Sequence, residues 1–392
     1  MAEWPVAGFT STGSKRPEAL FGADVAPATG DVPIRMRRAS GCRVWSIDDR
    51  EYIDWIMALG AVALGYAHPE VNRAACEAVG AGVVGPLAPA LEVEVADTLR
   101  RLMPWMEQTR FLKSGAEACA AAVRLARVAT GRELVLGCGY HGWLDWCQSG
   151  PGVPAATSAL YGELVFNDAD AARGAIRAAG DRLACVITEP IVLVEPSREW
   201  LDALREETER VGALLVIDEI KTAGRIAVGG GTERYRILPD LVVLGKAIAN
   251  GFPLAAVGGR REVMAGVSRT WISSTLATEY VSLAAARATL GVIEREQVPA
   301  RLRAAGRRLL NGLAGLAAGH PELVAGVAGI PEMCFLQFTD ERIGAALVRD
   351  VAPRGVLFKR SAYNFASVAH DEAAVDRTLA ALDEALAAAL TR

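Results

Sequence analysis

Three short apolar runs constrain what this chain can fold into more than any other feature: Leu183-Ala184-Cys185-Val186-Ile187, Leu214-Leu215-Val216-Ile217 and Leu241-Val242-Val243-Leu244. Each is too short for a helix and apolar at every position, the pattern of a strand buried on both faces. A helical pattern over 200–211 separates the first two. Two earlier units have the same grammar. Thr109-Arg110-Phe111-Leu112 reads as a strand, Ser114-Gly115 as a turn and 116–128 as an alanine-rich helix, with Glu133-Leu134-Val135-Leu136 the next strand. Such strands alternating with helices imply a mostly parallel sheet covered on both faces, an α/β fold.

The flanks read differently. Residues 1 to about 40 are rich in Gly, Pro and Thr and suggest an irregular arm. Alternating apolar positions in Arg43-Val44-Trp45-Ser46-Ile47-Asp48 and Glu51-Tyr52-Ile53-Asp54-Trp55 predict a hairpin turning at Asp49-Arg50. His68-Pro69 opens a helix to about residue 80, with His68 a helix-start histidine. A second amphipathic helix covers 91–103, with acids early and Arg100-Arg101 late, the order the helix dipole favours. After about 280 come helices over 280–296 and 298–318, a strand over 333–338, a helix over 341–351, a short strand over 356–359 and a last helix over 371–390. The expected division is an N-terminal segment 1–47 packing with the small domain, a large α/β domain 48–284 and a small α+β domain 285–392.

At 392 residues the chain exceeds one minimal core. With 52% hydrophobic and 22% charged residues it is neither disordered nor fibrous. A net charge of −4, without a basic run or aromatic ladder, argues against nucleic acid as a partner. Cys42, Cys76, Cys119, Cys138, Cys147, Cys185 and Cys334 form no C-x-x-C pair and read as small buried thiols in a reducing cytosol. Met1-Ala2-Glu3-Trp4-Pro5 does not begin a signal peptide, and no apolar run reaches the roughly 20 residues that span a bilayer. A cytoplasmic protein with no membrane partner is expected.

Gly245 ends the third apolar run and Lys246 follows at the strand's exit. Ligands of open α/β sheets bind at the carboxyl ends of strands. An ammonium is costly to bury there unless paired or used, and desolvation favours the neutral amine that a carbonyl can trap. Taken alone, a lysine so placed more often snorkels to the surface. Asp218 ends the second run, and alone it would be a helix cap or a loop solvator. Beside a Schiff-base lysine it has a sharper use: a carboxylate facing a pyridine nitrogen keeps it protonated, and the pyridinium withdraws electrons from an attached carbanion. Ile220 could pack on one face of such a ring. Ser114-Gly115-Ala116, where a strand turns into a helix, offers backbone N–H groups to a phosphate, as many unrelated junctions do.

Gly137-Cys138-Gly139-Tyr140-His141-Gly142 literally matches G-x-G-x-x-G, which makes a nicotinamide-dependent oxidoreductase a rival reading. The continuation, Trp143-Leu144-Asp145-Trp146-Cys147-Gln148-Ser149-Gly150-Pro151-Gly152, breaks with Gly and Pro where that fingerprint needs a long helix. Tyr140 is better cast as an aromatic lid on a cofactor ring, and His141 as a partner for local backbone. His68, His141, His320 and His370 have no metal-ligand spacing, so no metal is expected.

Phe111-Leu112-Lys113-Ser114-Gly115-Ala116-Glu117-Ala118, Tyr140-His141-Gly142, Thr188-Glu189-Pro190-Ile191, Ile217-Asp218-Glu219 and Pro239-Asp240-Leu241 with Gly245-Lys246 stand in an order that resembles the class III aminotransferases, pyridoxal-phosphate enzymes of fold type I. The likeness runs from about residue 40 to the C-terminus. Leu64-Gly65-Tyr66-Ala67-His68-Pro69-Glu70-Val71, Val257-Gly258-Gly259-Arg260-Arg261-Glu262 and Ser367-Val368-Ala369-His370 resemble the glutamate semialdehyde aminomutase branch. The resemblance implies pyridoxal 5'-phosphate as cofactor and a mostly parallel, seven-stranded-type sheet. It implies that Lys246 holds the cofactor covalently and shuttles the proton, and that Asp218 pairs with the pyridine nitrogen. Tyr140 and Ile220 would sandwich the ring, and the Gly115 and Ala116 amides with Ser114 would hold the phosphate. Glu189 would sit near the ring's hydroxyl side, with His141 in the same site. Thr275, in Ser273-Ser274-Thr275-Leu276, would reach the phosphate from a second subunit, implying a homodimer with shared active sites.

The departures bear on substrate. Where the family usually shows Gly-Asn-Pro after that threonine, this chain has Thr278-Glu279-Tyr280. Nothing between Pro17 and Arg35 matches the Ser-Pro-Val-Arg that grips the aminomutase substrate's carboxylate, and Asn364 stands where those enzymes have a late carboxylate. Val192-Leu193-Val194 replaces the Gln-Gly-Glu of many members, and only Arg225 and Arg360 are candidates for a donor carboxylate. The expectation is a ping-pong aminotransferase that takes an amino group from a donor such as glutamate and delivers it to a small acceptor without an α-carboxylate. By analogy with antibiotic-pathway members, the acceptor would be an oxo-sugar or cyclitol. The alternatives are an aminomutase, epimerase or decarboxylase using the same Lys246 and Asp218.

Overall fold

A computed structural model describes residues 5–23 and 32–389. In chain order its strands are β1 (Met36–Ser40), β2 (Arg43–Ser46), β3 (Glu51–Asp54), β4 (Gln108–Leu112), β5 (Leu134–Cys138), β6 (Tyr161–Glu163), β7 (Leu183–Thr188), β8 (Leu214–Asp218), β9 (Leu241–Leu244), β10 (Ala255–Gly259), β11 (Val324–Ile330), β12 (Met333–Phe338), β13 (Val356–Leu357) and β14 (Asn364–Phe365). The chain divides into two units, Pro69–Ala300 and Met1–His68 with Arg301–Arg392.

The unit Pro69–Ala300 is built on a seven-stranded sheet in the order β4-β10-β9-β8-β7-β5-β6. All neighbours run parallel except β10, which is antiparallel to both β4 and β9. The expected α/β, fold type I architecture is therefore present. Period-two alternation decides which side chain meets which helix. Val216, Leu241 and Val243 pack with Ala118, Ala122 and Leu125 of the helix Gly115–Thr130. On the opposite face, Leu215 and Ile217 meet Ile176, Trp200 and Leu204, while Val242 and Leu244 meet Val95, Leu99 and Leu290. Covering both faces is what makes the runs 214–217 and 241–244 apolar at every position.

Two strands of this sheet are not legible as apolar runs. β10 is Ala-Ala-Val-Gly-Gly, and a side chain at Gly259 would sit 2.2 Å from the carbonyl oxygen of Asp240. Small residues are thus required for it to fit beside β9. β6 is a three-residue edge strand that is only half-buried.

The other unit holds a four-stranded sheet, β1-β2-β3-β13, and a three-stranded one, β11-β12-β14. The hairpin forms with Val44 opposite Tyr52, and β13 adds to β3 in parallel. Trp55, Leu313, Leu336, Val351 and Leu382 belong to its core. Pairing of β3 with β2 and β13 is why 48–68 falls with the C-terminal residues here, while 285–300 falls with the large sheet; the expected boundaries were at 47 and 284. The arm expected over 1 to about 40 instead contains a helix, Pro17–Phe21, and strand β1, while 1–4 and 24–31 lie outside the described residues. Residue 390, expected to end the last helix, also lies outside them. Met57, Ala58, Leu59 and Gly60 all have positive φ, a left-handed turn held by the Asp54 carboxylate. That carboxylate accepts the N–H groups of Ile56 and Met57 at 2.8 and 3.1 Å and the Tyr66 hydroxyl at 2.7 Å.

Candidate active site

Parallel register brings the chemistry together. Thr188 on β7 pairs with Ile217 on β8, and Asp218 pairs with Val243 on β9. Glu189, Asp218 and Lys246 therefore stand at the carboxyl ends of three neighbouring strands, where an open α/β sheet binds ligands. Cys138 of β5 pairs with Thr188, so the loop carrying Tyr140 and His141 leaves from the same end.

Lys246 opens a 3-10 turn, Lys246–Ala249, with φ of 49°. A left-handed non-glycine residue costs about 1–3 kcal/mol and persists where its surroundings over-determine it. Burial first, then the neighbouring charge of Lys221, pulls its ammonium down to about 8 against the opposing carboxylates of Glu189 and Asp218. A neutral amine is thus available near neutral pH, as an attack on a carbonyl requires.

Asp218 is fully enclosed, with its donors supplied by protein. Oδ2 lies 2.7 Å from His141 Nδ1 and accepts the Cys119 thiol at 3.4 Å, while Oδ1 accepts the Ile220 N–H at 3.1 Å. Burial alone would raise its pKa, but the His141 hydrogen bond and charge, with Ile220 and Cys119, outweigh it and hold the carboxyl below the usual range. With Asp218 ionised, His141 carries its proton on Nδ1. His141 also stacks on Trp146, whose indole meets Tyr161 edge-on. This corrects one expectation: His141 serves the Asp218 side chain, not local backbone.

Glu189 links the two sides of the site. Its Oε2 accepts the Tyr140 N–H at 3.0 Å and its Oε1 pairs with Lys221 at 2.8 Å. Tyr140 is 68% exposed, which leaves its side chain accessible to a ligand.

Ser114 caps the helix Gly115–Thr130 in a reciprocal box with Glu117: its hydroxyl accepts the Glu117 N–H, and the Glu117 carboxylate accepts the Ser114 N–H at 2.8 Å. The next N–H groups, of Gly115 and Ala116, have no partner within the helix and suit an anion. Ile220 reaches this turn, since a side chain at Gly115 would meet its Cδ1 at 2.6 Å, and one at Gly245 its Cγ2 at 3.4 Å. Gly142, with φ of 109°, packs on Ala116 so closely that a Cβ would lie 2.5 Å from the alanine's own. Gly142→Ala is expected to push the turn out of line, lowering stability by about 1–3 kcal/mol. Thermal denaturation should show this together with weaker cofactor binding.

Thr275 is exposed on the loop before the helix Tyr280–Arg295. That helix is capped by Glu279, which accepts the N–H groups of Val281 and Ser282 and pairs with Lys113 at 2.7 Å, beside the Ser114 turn. The departure from Gly-Asn-Pro thus puts a helix-capping acid at position 279. Cys119, Lys221, Lys113 and Glu279 were not singled out for the site from the sequence. Cys119 had a signal, lying one helical turn beyond Gly115 and hence on the same helix face. Cys76 departs from the expected buried thiols in being exposed, whereas the other six are buried and all seven are free.

A buried, ionised acid, an amine poised near neutrality, an accessible aromatic side chain and an anion-binding helix start together match the donor set that pyridoxal phosphate needs. Comparisons agree. The family model described as aminotransferase class-III matches residues 25–390. A glutamate-1-semialdehyde 2,1-aminomutase of Thermomicrobium roseum is 36% identical, covering 92% of each chain. Its counterpart from Gemmatimonas aurantiaca is 37% identical over 92% of this chain and 91% of its own. Among solved structures, the PLP internal aldimine form of the Sphingopyxis sp. MTA144 FumI protein superposes with a TM-score of 0.89 at 28% identity, covering 94% of this chain and 91% of that one. A β-phenylalanine aminotransferase from Variovorax paradoxus gives 0.83 at 29%, covering 91% and 88%.

Proposed function

Because this chain belongs to the class-III aminotransferase family, pyridoxal-phosphate enzymes of fold type I, we propose that it moves an amino group from a donor, L-glutamate foremost, to the oxo group of a small polar acceptor. The observation that carries this reading is geometric: Asp218 and Lys246 stand at the carboxyl ends of the adjacent parallel strands β8 and β9. Burial lowers the amine to about 8, while His141 holds the acid below its usual range. When bound, the cofactor supplies an electrophilic carbonyl and an electron-withdrawing ring. Lys246 would anchor it and, as a neutral amine, would take the donor's α-proton and return it on the acceptor side. Asp218 would hold the proton on the ring nitrogen. Tyr140 and Ile220 would flank the ring, Glu189 would orient its hydroxyl side, and Ser114 with the Gly115 and Ala116 amides would bind the phosphate.

An oxo-sugar or oxo-cyclitol of antibiotic or other secondary metabolism is the acceptor class we favour. In support, Val192-Leu193-Val194 and Asn364 bring no charge to positions where relatives place acids. Homodimerisation is supported by exposed apolar side chains near the Thr275 loop: Leu276 and Trp271 on it, and Val83, Val84 and Leu87 on the stretch that bonds the Tyr280 N–H through the Val83 carbonyl. Thr275 then serves the second subunit's phosphate. No described helix is long and apolar enough to cross a membrane. Free thiols throughout support the cytoplasm.

Relatives named as aminomutases at 36–37% identity favour one second reading, an internal amino shift. A mass-spectrometric screen of oxo-sugars, oxo-cyclitols and oxo acids with glutamate as donor separates the two. The aminotransferase yields 2-oxoglutarate in step with aminated acceptor. Product formed from one substrate, without 2-oxoglutarate, rejects it in favour of the mutase.

A further inference from the structure

We infer that Cys119 is a positioning residue for Asp218, its thiol fixing which carboxylate oxygen faces the cofactor ring. The inference rests on the proposed pairing of Asp218 with the ring nitrogen. A carboxylate oxygen has two lone-pair sites. Oδ2 spends both inside the protein, on His141 at 2.7 Å and on Cys119 at 3.4 Å. Oδ1 takes only the Ile220 N–H, at 3.1 Å, and keeps one site open. The atom left to meet a ring nitrogen is therefore Oδ1. Without the thiol, Oδ2 also has an open site and the carboxylate can rotate between two arrangements.

The alternative for a buried cysteine is a small apolar filler. Two observations speak against it. The Asp218 and His141 side chains are wholly buried, and Cys119 is as enclosed, so water does not stand in as a donor there. Burial and the adjacent Asp218 charge also push the thiol well up, which keeps it protonated and able to donate.

The test is a double-mutant cycle read as the dissociation constant of pyridoxal phosphate from apoprotein, by fluorescence titration. C119A is expected to weaken binding about five- to tenfold, and C119S, which keeps a donor, to restore it to within about twofold. In a D218N background the same C119A change should have little effect, because the partner it acts through is gone. The S–H stretching band of Cys119, isolated as the infrared difference between wild type and C119A apoprotein, should lie at the lowered frequency of a bonded thiol and move on D218N substitution. Unchanged binding in C119A, or an equal loss in the D218N background, overturns the inference. If D218N alone leaves binding unchanged while the band still moves, the thiol–carboxylate bond is real but its assignment to the cofactor is overturned, and with it the proposed role of Asp218.

Discussion

Lys246→Ala should abolish amino transfer, lowering kcat by about four orders of magnitude or more, since both a covalent anchor and a proton carrier are lost. Lys246→Arg should fare no better. Arginine keeps the charge and most of the length, but its guanidinium stays protonated and offers no neutral nitrogen. Equal losses in the two variants identify the neutral amine, not the positive charge, as the working species; substantial activity in the arginine variant would refute the role. The same amine sets a pH dependence in the apoprotein. Its folded-state value of about 8 lies below the ordinary lysine value of 10.5. The rate of cofactor attachment should therefore rise as pH climbs through about 8 and then level off, a curve absent from the alanine variant. Linkage gives the stability sign. Burying the ammonium costs most below pH 8, and the cost fades as pH rises toward the unfolded value. Lys246→Met apoprotein should accordingly melt higher than wild type at pH 7, an instance of an active site held at the expense of stability.

The fold was legible where physics leaves a pattern in composition. The runs 183–187, 214–217 and 241–244 within β7, β8 and β9 are apolar at every position because helices cover both faces, and that pattern locates Asp218 and Lys246 at the strand exits. β10 left no such mark, since its close approach to β9 demands Ala and Gly in place of large side chains. Nor does Met57-Ala58-Leu59-Gly60 announce a left-handed turn, which depends on donors meeting the Asp54 carboxylate. Within the site, residues at strand ends could be found by position along the chain. The partners that tune them could not. His141 reaches Asp218 across 77 positions and Cys119 across 99. Glu279 finds Lys113 across 166. Contacts of that kind are set by the sheet's strand order, which crosses β4, β10 and β9 in a sequence no local pattern encodes.

Asp218→Asn should cost far more in using the cofactor than in holding it. Lys246 and the Ser114 turn are untouched by the change, so at saturating concentration cofactor should still attach and give its visible absorption, although with weaker affinity than in the wild type. Catalysis should nonetheless fall by about 10³-fold, the scale on which removing one preorganised charge partner acts. An amide cannot keep the ring nitrogen protonated as a carboxylate does. Whichever way the amide turns, its NH2 group would also confront a donor: the Ile220 N–H on one side or the Cys119 and His141 donors on the other. Asp218→Glu retains the charge but lengthens the arm, and in a fully buried site it should rank between the two. The acid limb adds an independent reading. Because the folded-state value of Asp218 is depressed, its contribution to stability is complete above the ordinary carboxylate range, near pH 4, and is lost as pH falls through its own lower value. Wild-type protein followed by absorbance and circular dichroism at decreasing pH should lose its cofactor along that limb, and the asparagine variant should lack that component. Near-wild-type turnover in the asparagine variant would mean that the ring nitrogen needs no acid, and the proposed division of labour between the ends of β8 and β9 would fail.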